Sequence, residues 1–386
     1  MSKSLGNVVD PRVVIEGGKD AKQQPAYGAD VLRLWVASVD YTSDVAIGSG
    51  ILRQMADVYR KVRGTLRFLL GNLADYDPVR HAVPYERLSG LDRYLLLRLG
   101  QLSSEVAAAY DSYQFFRVFQ LLQRFVVADL SNFYLDTAKD RLYIRAAEDP
   151  ARRGCQTVMD ALLRGLLAAL APVVPHMAED AWLNLPYPRP ATSVFQAGWP
   201  VPDPAWFSLS EQEAAVWAVV AEVRDAANAV LERARADKAI GAGLDARVVL
   251  HVSDPRVAER LAALDASGNG ADELRYLLIV SQVELVSDAA AARLCPYHDT
   301  QPSASGAGSI TVGVARAGGA KCARCWNYSD AVGQQQTVGQ QTAGQQTQRS
   351  YPDLCERCGP VVAAQGFVLA AGVGASAGVE KVTVTV

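Results

Sequence analysis

From Leu91 to Leu170 apolar residues return every three or four positions, and that spacing is the strongest constraint in the chain. Leu91, Leu95, Leu99, Leu102 and Val106 form one stripe. Phe119, Leu122, Val126, Leu130 and Phe133 form a second, and Val158, Leu162, Leu166 and Leu170 a third. Residues three and four apart lie on one side of an α-helix, so each stripe is the buried face of an amphipathic helix. Three such faces need a common core. Helical patterning runs from Ile51 to about Leu185, with Tyr76-Asp77-Pro78 and Glu148-Asp149-Pro150 as breaks. A bundle of about four or five helices is expected.

The remainder of the 386 residues reads differently. At about 150 residues per domain, two or three domains are expected. The first 48 residues read as loops around one short helix, which Asp30 is expected to cap and which runs to Trp35. Pro186 to Pro204 holds six prolines and reads as a linker. A helix over about Ser210–Ala236 follows, then β-like runs at Ala246–Val252 and Gln282–Val286, which together predict a small α+β unit. Ala331–Gln348 repeats Gly-Gln-Gln, buries nothing and is expected to be a disordered loop.

Composition excludes several classes. With 50% hydrophobic and 20% charged residues the chain is neither disordered nor collagen-like. No apolar run is long enough to span a bilayer, and the N-terminus has no apolar secretory core, so no membrane association is expected. The formal charge of −3 excludes a uniformly basic coat. Charge is nevertheless uneven: Ile51–Leu70 carries a net +4, and Glu211–Ala290 a net −6. Such asymmetry suits a chain that meets a polyanion with one part only.

Four of the six cysteines form Cys322-Ala-Arg-Cys325 and Cys355-Glu-Arg-Cys358. Two Cys-x-x-Cys knuckles predict a tetrahedral Zn²⁺ site. Four thiolates leave no open position for water or substrate, so one structural zinc is expected, in a reducing compartment. The 29 residues between the knuckles exceed the usual spacing, but removing the 18 of the Gln-rich tract leaves 11. The alternatives are a redox pair or incidental thiols. Cys295-Pro-Tyr-His298 is a rival half-site, 23 residues before Cys322. Cys155 reads as a buried, inert thiol.

The sequence opens Met1-Ser2-Lys3-Ser4-Leu5-Gly6-Asn7, a small polar loop around one lysine. It resembles the Lys-Met-Ser-Lys-Ser signature of class I aminoacyl-tRNA synthetases without its first lysine. Tyr27–Trp35, Asp57–Leu73, Leu130–Asp136 with Lys139–Tyr143, and the two cysteine knuckles resemble, in order, the corresponding stretches of the isoleucyl-tRNA synthetase family. The Cys-x-Arg-Cys-Trp and Leu-Cys-x-Arg-Cys endings argue against the related valine, leucine and methionine families.

The resemblance implies the C-terminal portion of a cytoplasmic, ATP-dependent ligase that attaches isoleucine to tRNA(Ile). Lys3 would contact the ATP phosphates, with Ser2 and Ser4 beside it, and ATP would enter with Mg²⁺. Residues 1–48 would end the catalytic domain and 49–205 would bind the anticodon stem and loop. Residues 206–318 would form an α+β junction, and 319–386 a zinc module that supports tRNA engagement. A monomer is expected. The family's His-x-Gly-His motif cannot be formed by His81, His176, His251 and His298, and no editing domain is present, so these residues alone are expected to make no adenylate. A free-standing tRNA-binding module without catalysis is the alternative.

Two arginine sets are candidates for RNA phosphates. Arg60, Arg63 and Arg67 share one helix face, and Arg141, Arg145, Arg152 and Arg153 form a second group. Each set would equally suit a solvated face with ion pairs along the helix. Trp326, next to a cysteine, is a candidate for stacking on a base or for covering the metal. Tyr113, Phe115, Phe116 and Phe119 are expected in the core, and His176 is expected to pack at a helix start.

Overall fold

The computed structural model describes residues 4, 8–304, 308–334, 336–338 and 348–364. The chain divides into two compact units. One comprises residues 1–88, 92–136 and 153–209, the other residues 89–91, 137–152 and 210–386.

The first unit is helical. Its elements are α1 (Pro11–Glu16), α2 (Ala29–Ser38), α3 (Ser49–Asn72), α4 (Pro78–His81), α5 (Gly90–Asp111) and α6 (Phe115–Arg124). A π-helical stretch, Phe125–Tyr134, continues α6 directly into α7 (Leu135–Ile144), which belongs to the second unit from Thr137 on. After α8 (Pro150–Leu170) and α9 (Pro175–Leu183) the unit closes. The stripes read from the sequence supply its core: Leu91, Leu95, Leu99, Val106, Val126, Leu130, Val158, Leu162, Leu166 and Leu170 are all buried. Each buried leucine contributes about 1.5–3 kcal/mol.

The two Asp-Pro breaks are helix starts. Asp77 accepts the Val79 N–H and Asp149 the Ala151 N–H, while proline occupies the first turn, where its missing N–H is not needed. Helix α9 also begins on a proline, but its own N-cap residue, Val174, has no side chain to offer. Asp30 fills that role from α2. Its carboxylate accepts the Met177 N–H at 2.8 Å and the His176 N–H at 3.4 Å. Asp30 therefore does not cap its own helix, whose N-cap is Gly28. His176 stands at the helix start as expected, yet its side chain is 74% exposed, with Nδ1 2.8 Å from Asp30.

Other expectations are corrected here. The proline-rich stretch is strapped to the bundle: Tyr187 is buried with its hydroxyl on Asp160, Trp182 Nε1 donates to Ala191 O, and Trp199 meets Tyr110 edge-on. Tyr113 is exposed at a positive φ of 57°, and Phe115, Phe116 and Phe119 are only half-buried, so this aromatic run is not core. Cys155 is fully buried and receives the Tyr134 hydroxyl at 3.7 Å.

The second unit is built on α10 (Glu211–Ala236), started by a capping box in which Ser210 and Glu213 serve each other's backbone N–H. A four-stranded sheet runs β2 (Gln282–Leu285), β1 (Ala246–Val252), β4 (Ser309–Arg316), β3 (Tyr297–Pro302) in spatial order. The β1–β2 pair is parallel, Arg247 opposite Gln282; β1–β4 and β3–β4 are antiparallel, with Val314 opposite both Val248 and Tyr297. Helix α10 packs against β3 and β4, α11 (Pro255–Asp265) against β1, α12 (Leu274–Leu278) against β2, and α13 (Ala289–Arg293) against β1, β3 and β4. Short ladders β5 (Ala320–Lys321) with β6 (Tyr328–Ser329), and β7 (Gln336–Val338) with β8 (Gln348–Ser350), lead to α14 (Cys358–Ala364). The centre of the Gln-rich tract, 339–347, lies outside the described residues; its flanks pair as β7 and β8. Among the described residues no helix is long and apolar enough to cross a membrane.

Candidate metal centre and RNA-facing groove

The metal centre is assembled from the two knuckles. The sulfurs of Cys322, Cys325, Cys355 and Cys358 lie within 4.8 Å of one another, and all four residues are buried and free of disulfides. Cys325 and Cys355 place their sulfurs 3.6 Å apart. A tetrahedral Zn²⁺ with Zn–S bonds of about 2.3 Å demands sulfur separations of about 3.8 Å. The donor set therefore fits zinc. It also fits chemically. Hydrogen bonds led by Cys325 hold the Cys322 thiol well below its ordinary range, while those led by Cys322 push Cys358 well above it. Four thiols this close cannot all ionise unaided; a divalent cation between them removes the conflict. Among the described residues, Cys295 and His298 join no such group. Cys295 packs on Val249 and Ala292, and its carbonyl lies 3.0 Å from His298 Nδ1.

Tyr351, Leu354 and Val362 cover the sulfurs. Trp326 does not: it is 56% exposed, and its φ is +63°. That backbone region is costly for any residue but glycine. Lys321 Nζ stands 5.8 Å from the Trp326 ring centroid. An exposed indole in a strained position, with a cation beside it, suits stacking on a planar partner.

The middle arginine of each knuckle, not foreseen as structural, fastens the metal centre within its own unit. Arg324 donates to Ile144 O at 2.6 Å and Tyr143 O at 3.3 Å, and its Nη1 lies 3.6 Å from Cys358 Sγ. Arg357 forms a two-pronged pair with Asp140 at 2.9 and 3.2 Å and donates to the Tyr276 hydroxyl at 2.7 Å. The last carbonyls of α7 have no helical partner, so they attract guanidinium donors.

The first unit carries a groove of about 410 Å³ lined by α3 and α9. Arg60, Arg63 and Arg67 stand along its rim, all exposed, and Leu66, Leu70, Met177 and Ala181 are in its lining. Arg60 is paired with Asp57, and Arg63 lies 4.0 Å from Asp180. Among the described residues no ion pair engages Arg67. Exposed pairs of this kind are worth roughly 0–1 kcal/mol, so a phosphate can displace them. The structure thus brings together the three arginines of the first set. It disperses the second set: Arg141 and Arg153 are buried, Arg145 pairs with Asp149 at 3.6 Å, and Arg152 donates to Leu142 O and Ala147 O. That group is structural. Ser4 is exposed, while Ser2 and Lys3 lie outside the described residues.

With this geometry in place, comparison with known proteins adds the lineage. Residues 1–48 match the family model for class I tRNA synthetases (I, L, M and V), and residues 92–250 match that for the anticodon-binding domain of tRNA ligase. Isoleucine–tRNA ligase of Thermosynechococcus vestitus is 52% identical over 362 residues, 93% of this chain and 36% of that protein. The chain belongs to the isoleucine–tRNA ligase family. The ligase of a Synechococcus strain is 52% identical over 95% of this chain, and the chloroplastic/mitochondrial ligase of Arabidopsis thaliana 46% over 94%. These cover 36% and 33% of the two relatives, so the chain spans about a third of the ligases it matches. A synthetase segment followed by an anticodon-binding domain is similar to a C-terminal portion of these ligases.

Proposed function

We propose that this chain is the tRNA-binding C-terminal part of an isoleucine–tRNA ligase, which as a whole attaches L-isoleucine to tRNA(Ile) at the expense of ATP in the cytoplasm. The observation that carries this is identity near 50% to isoleucine–tRNA ligases over 93% of the chain. In this reading Lys3, flanked by Ser2 and Ser4, meets the ATP phosphates during adenylate formation, with Mg²⁺ as counterion. Residues 1–48 end the catalytic domain, 49–205 bind the anticodon arm, 206–318 join the two functions and 319–386 hold one structural zinc. Cys322, Cys325, Cys355 and Cys358 are its ligands. Zinc supplies a rigid knuckle, and Arg324 and Arg357 fasten that knuckle so that Trp326 projects outward.

Arg60, Arg63 and Arg67 hold phosphates, and Trp326 stacks on a base. The test is a binding assay on the zinc-loaded 386-residue chain, acting as a monomer. It is expected to bind a tRNA(Ile) transcript more tightly than an unrelated tRNA, with affinity falling as salt rises, and to give no isoleucine-dependent pyrophosphate exchange. Equal affinity for both tRNAs would overturn the assignment.

A further inference from the structure

The cysteine cluster holds one acceptor without a donor and one donor without an acceptor. Sulfur ligands of a metal carry negative charge, and N–H or O–H groups directed at them share it. Cys322 Sγ accepts the Cys355 N–H at 3.4 Å and a backbone hydrogen bond from Cys325. Cys325 receives a backbone hydrogen bond from Asn327, and Cys358 Sγ lies 3.6 Å from Arg324 Nη1. Cys355 is different. Among the described residues, its sulfur has only the other cysteine sulfurs as partners.

Tyr351 supplies the counterpart. It stands four residues before Cys355, where the chain passes from β8 into the second knuckle. Its side chain packs among the four cysteines, Leu354 and Val362 and is 1% exposed. Its hydroxyl is buried and meets no hydrogen-bond partner among the described residues. Native proteins rarely keep a buried hydroxyl unmet, because its lost hydration is not repaid. The other buried tyrosines obey that rule: Tyr76 bonds Thr157, Tyr134 bonds Asp92, Tyr187 bonds Asp160 and Tyr276 bonds Arg357. Phenylalanine fills the same space without a polar atom, so packing alone does not call for tyrosine at 351. A neutral thiol is a weak acceptor and leaves such a hydroxyl idle. A metal-bound thiolate is charged and attracts it.

We propose that Tyr351 is an outer-sphere donor of the zinc site, its hydroxyl donating to the Cys355 thiolate when the metal is bound. The bond spreads the charge of that sulfur, holds the second knuckle in position and slows loss of the metal. The inference rests on the four-cysteine zinc reading.

The test compares Tyr351→Phe with the unchanged 386-residue chain, each loaded with one zinc. Transfer of zinc to excess EDTA is expected to be about tenfold faster in the variant. With Co²⁺ loaded instead, the sulfur-to-metal charge-transfer band of the variant is expected at lower energy, because a sulfur that loses a hydrogen bond gives up its electrons more readily. Tyr328→Phe removes a hydroxyl from a half-buried residue outside the cysteine cluster and is expected to leave rate and band alone. If Tyr351→Phe takes up little metal, the Co²⁺ spectrum of the bound fraction decides. An unchanged band overturns the donor role whatever the rate of loss, since faster loss alone marks poorer packing, and it leaves the metal site standing. No metal taken up by the unchanged chain overturns both.

Discussion

Arg60, Arg63 and Arg67 on one side, and Arg141, Arg145, Arg152 and Arg153 on the other, are both arginine clusters in helical sequence, yet the fold uses them in opposite ways. The first set stands on the rim of a groove, with Arg60 and Arg63 held by exposed acids and Arg60 also by Ala56 O at 3.4 Å. The second is drawn inward. Its neighbourhood explains why. Helix α7 stops at Ile144, and the carbonyls of its last turn have no N–H from a following turn. Arg152 takes Leu142 O, and Arg324 takes Tyr143 O and Ile144 O. Helix α3 runs on past its arginines for five residues, so its carbonyls there are already bonded within the helix, and its guanidiniums are engaged only by exposed groups that a ligand can displace. Spacing decides which side chains share a face. Unmet backbone groups decide which of those faces is consumed.

The largest expected effect probes how far the inward arginines hold structure without metal. Cys325→Ser should lose zinc and unfold residues 322–358, although Arg324 and Arg357 remain. Zinc in such sites supplies on the order of 10 kcal/mol, against about 1.5–3 for a charged hydrogen bond. Zinc content per chain and hydrogen exchange over 351–364 report it; one zinc retained would refute the four-cysteine assignment.

Next in size is Arg153→Ala. This guanidinium is 7% exposed, donates to Asp75 O at 3.0 Å and Gln156 Oε1 at 2.8 Å, and pairs with Asp75. Its removal should cost about 3 kcal/mol in denaturant unfolding. The tRNA affinity of the folded fraction should stay as it was. A loss of affinity without a loss of stability would move Arg153 into the ligand-binding set and break the contrast.

Arg67→Ala is the mirror experiment. Stability should change by less than about 0.5 kcal/mol, because no acid or carbonyl among the described residues engages this side chain. Affinity for tRNA(Ile) should fall by about 1 kcal/mol, and the slope of log K against log salt should become shallower by about one. A steady slope would mean that Arg67 meets no phosphate.

The bundle was legible because the apolar stripes keep their period through eighty residues, and β1 was legible to the residue because Ala246–Val252 is a short run rich in valine and leucine, buried at five of its seven positions. The four cysteines declared themselves by spacing. What escaped depends on partners remote in sequence. Asp30 looks like the cap of its own helix, but the uncapped N-terminus of α9, with Val174 where a polar side chain is wanted, is about 145 residues away. Tyr113, Phe115, Phe116 and Phe119 have core spacing, yet Tyr113 is exposed and the three phenylalanines are only half-buried. The groove could not be foreseen either, since only folding places α9 beside α3.

The smallest expected effect is the most direct comparison of the two arginine sets. Asp57 neutralises Arg60 across one turn of α3, and both side chains are more than half exposed. An exposed pair of this kind stabilises the helix by no more than about 0.5 kcal/mol. Asp57→Asn keeps the shape and removes the charge, so unfolding should be nearly unchanged. The carboxylate also repels phosphate and occupies the guanidinium that the ligand needs. Its removal should tighten tRNA(Ile) binding about twofold to threefold at low salt, with the gain shrinking as salt rises. The matching change at an inward guanidinium of the metal centre, Asp140→Asn, should do the reverse, loosening Arg357 and lowering stability while leaving the salt slope alone. If Asp57→Asn destabilised the chain as much as Asp140→Asn, the α3 arginines would be structural too, and the distinction between a spent and a free guanidinium face would fall.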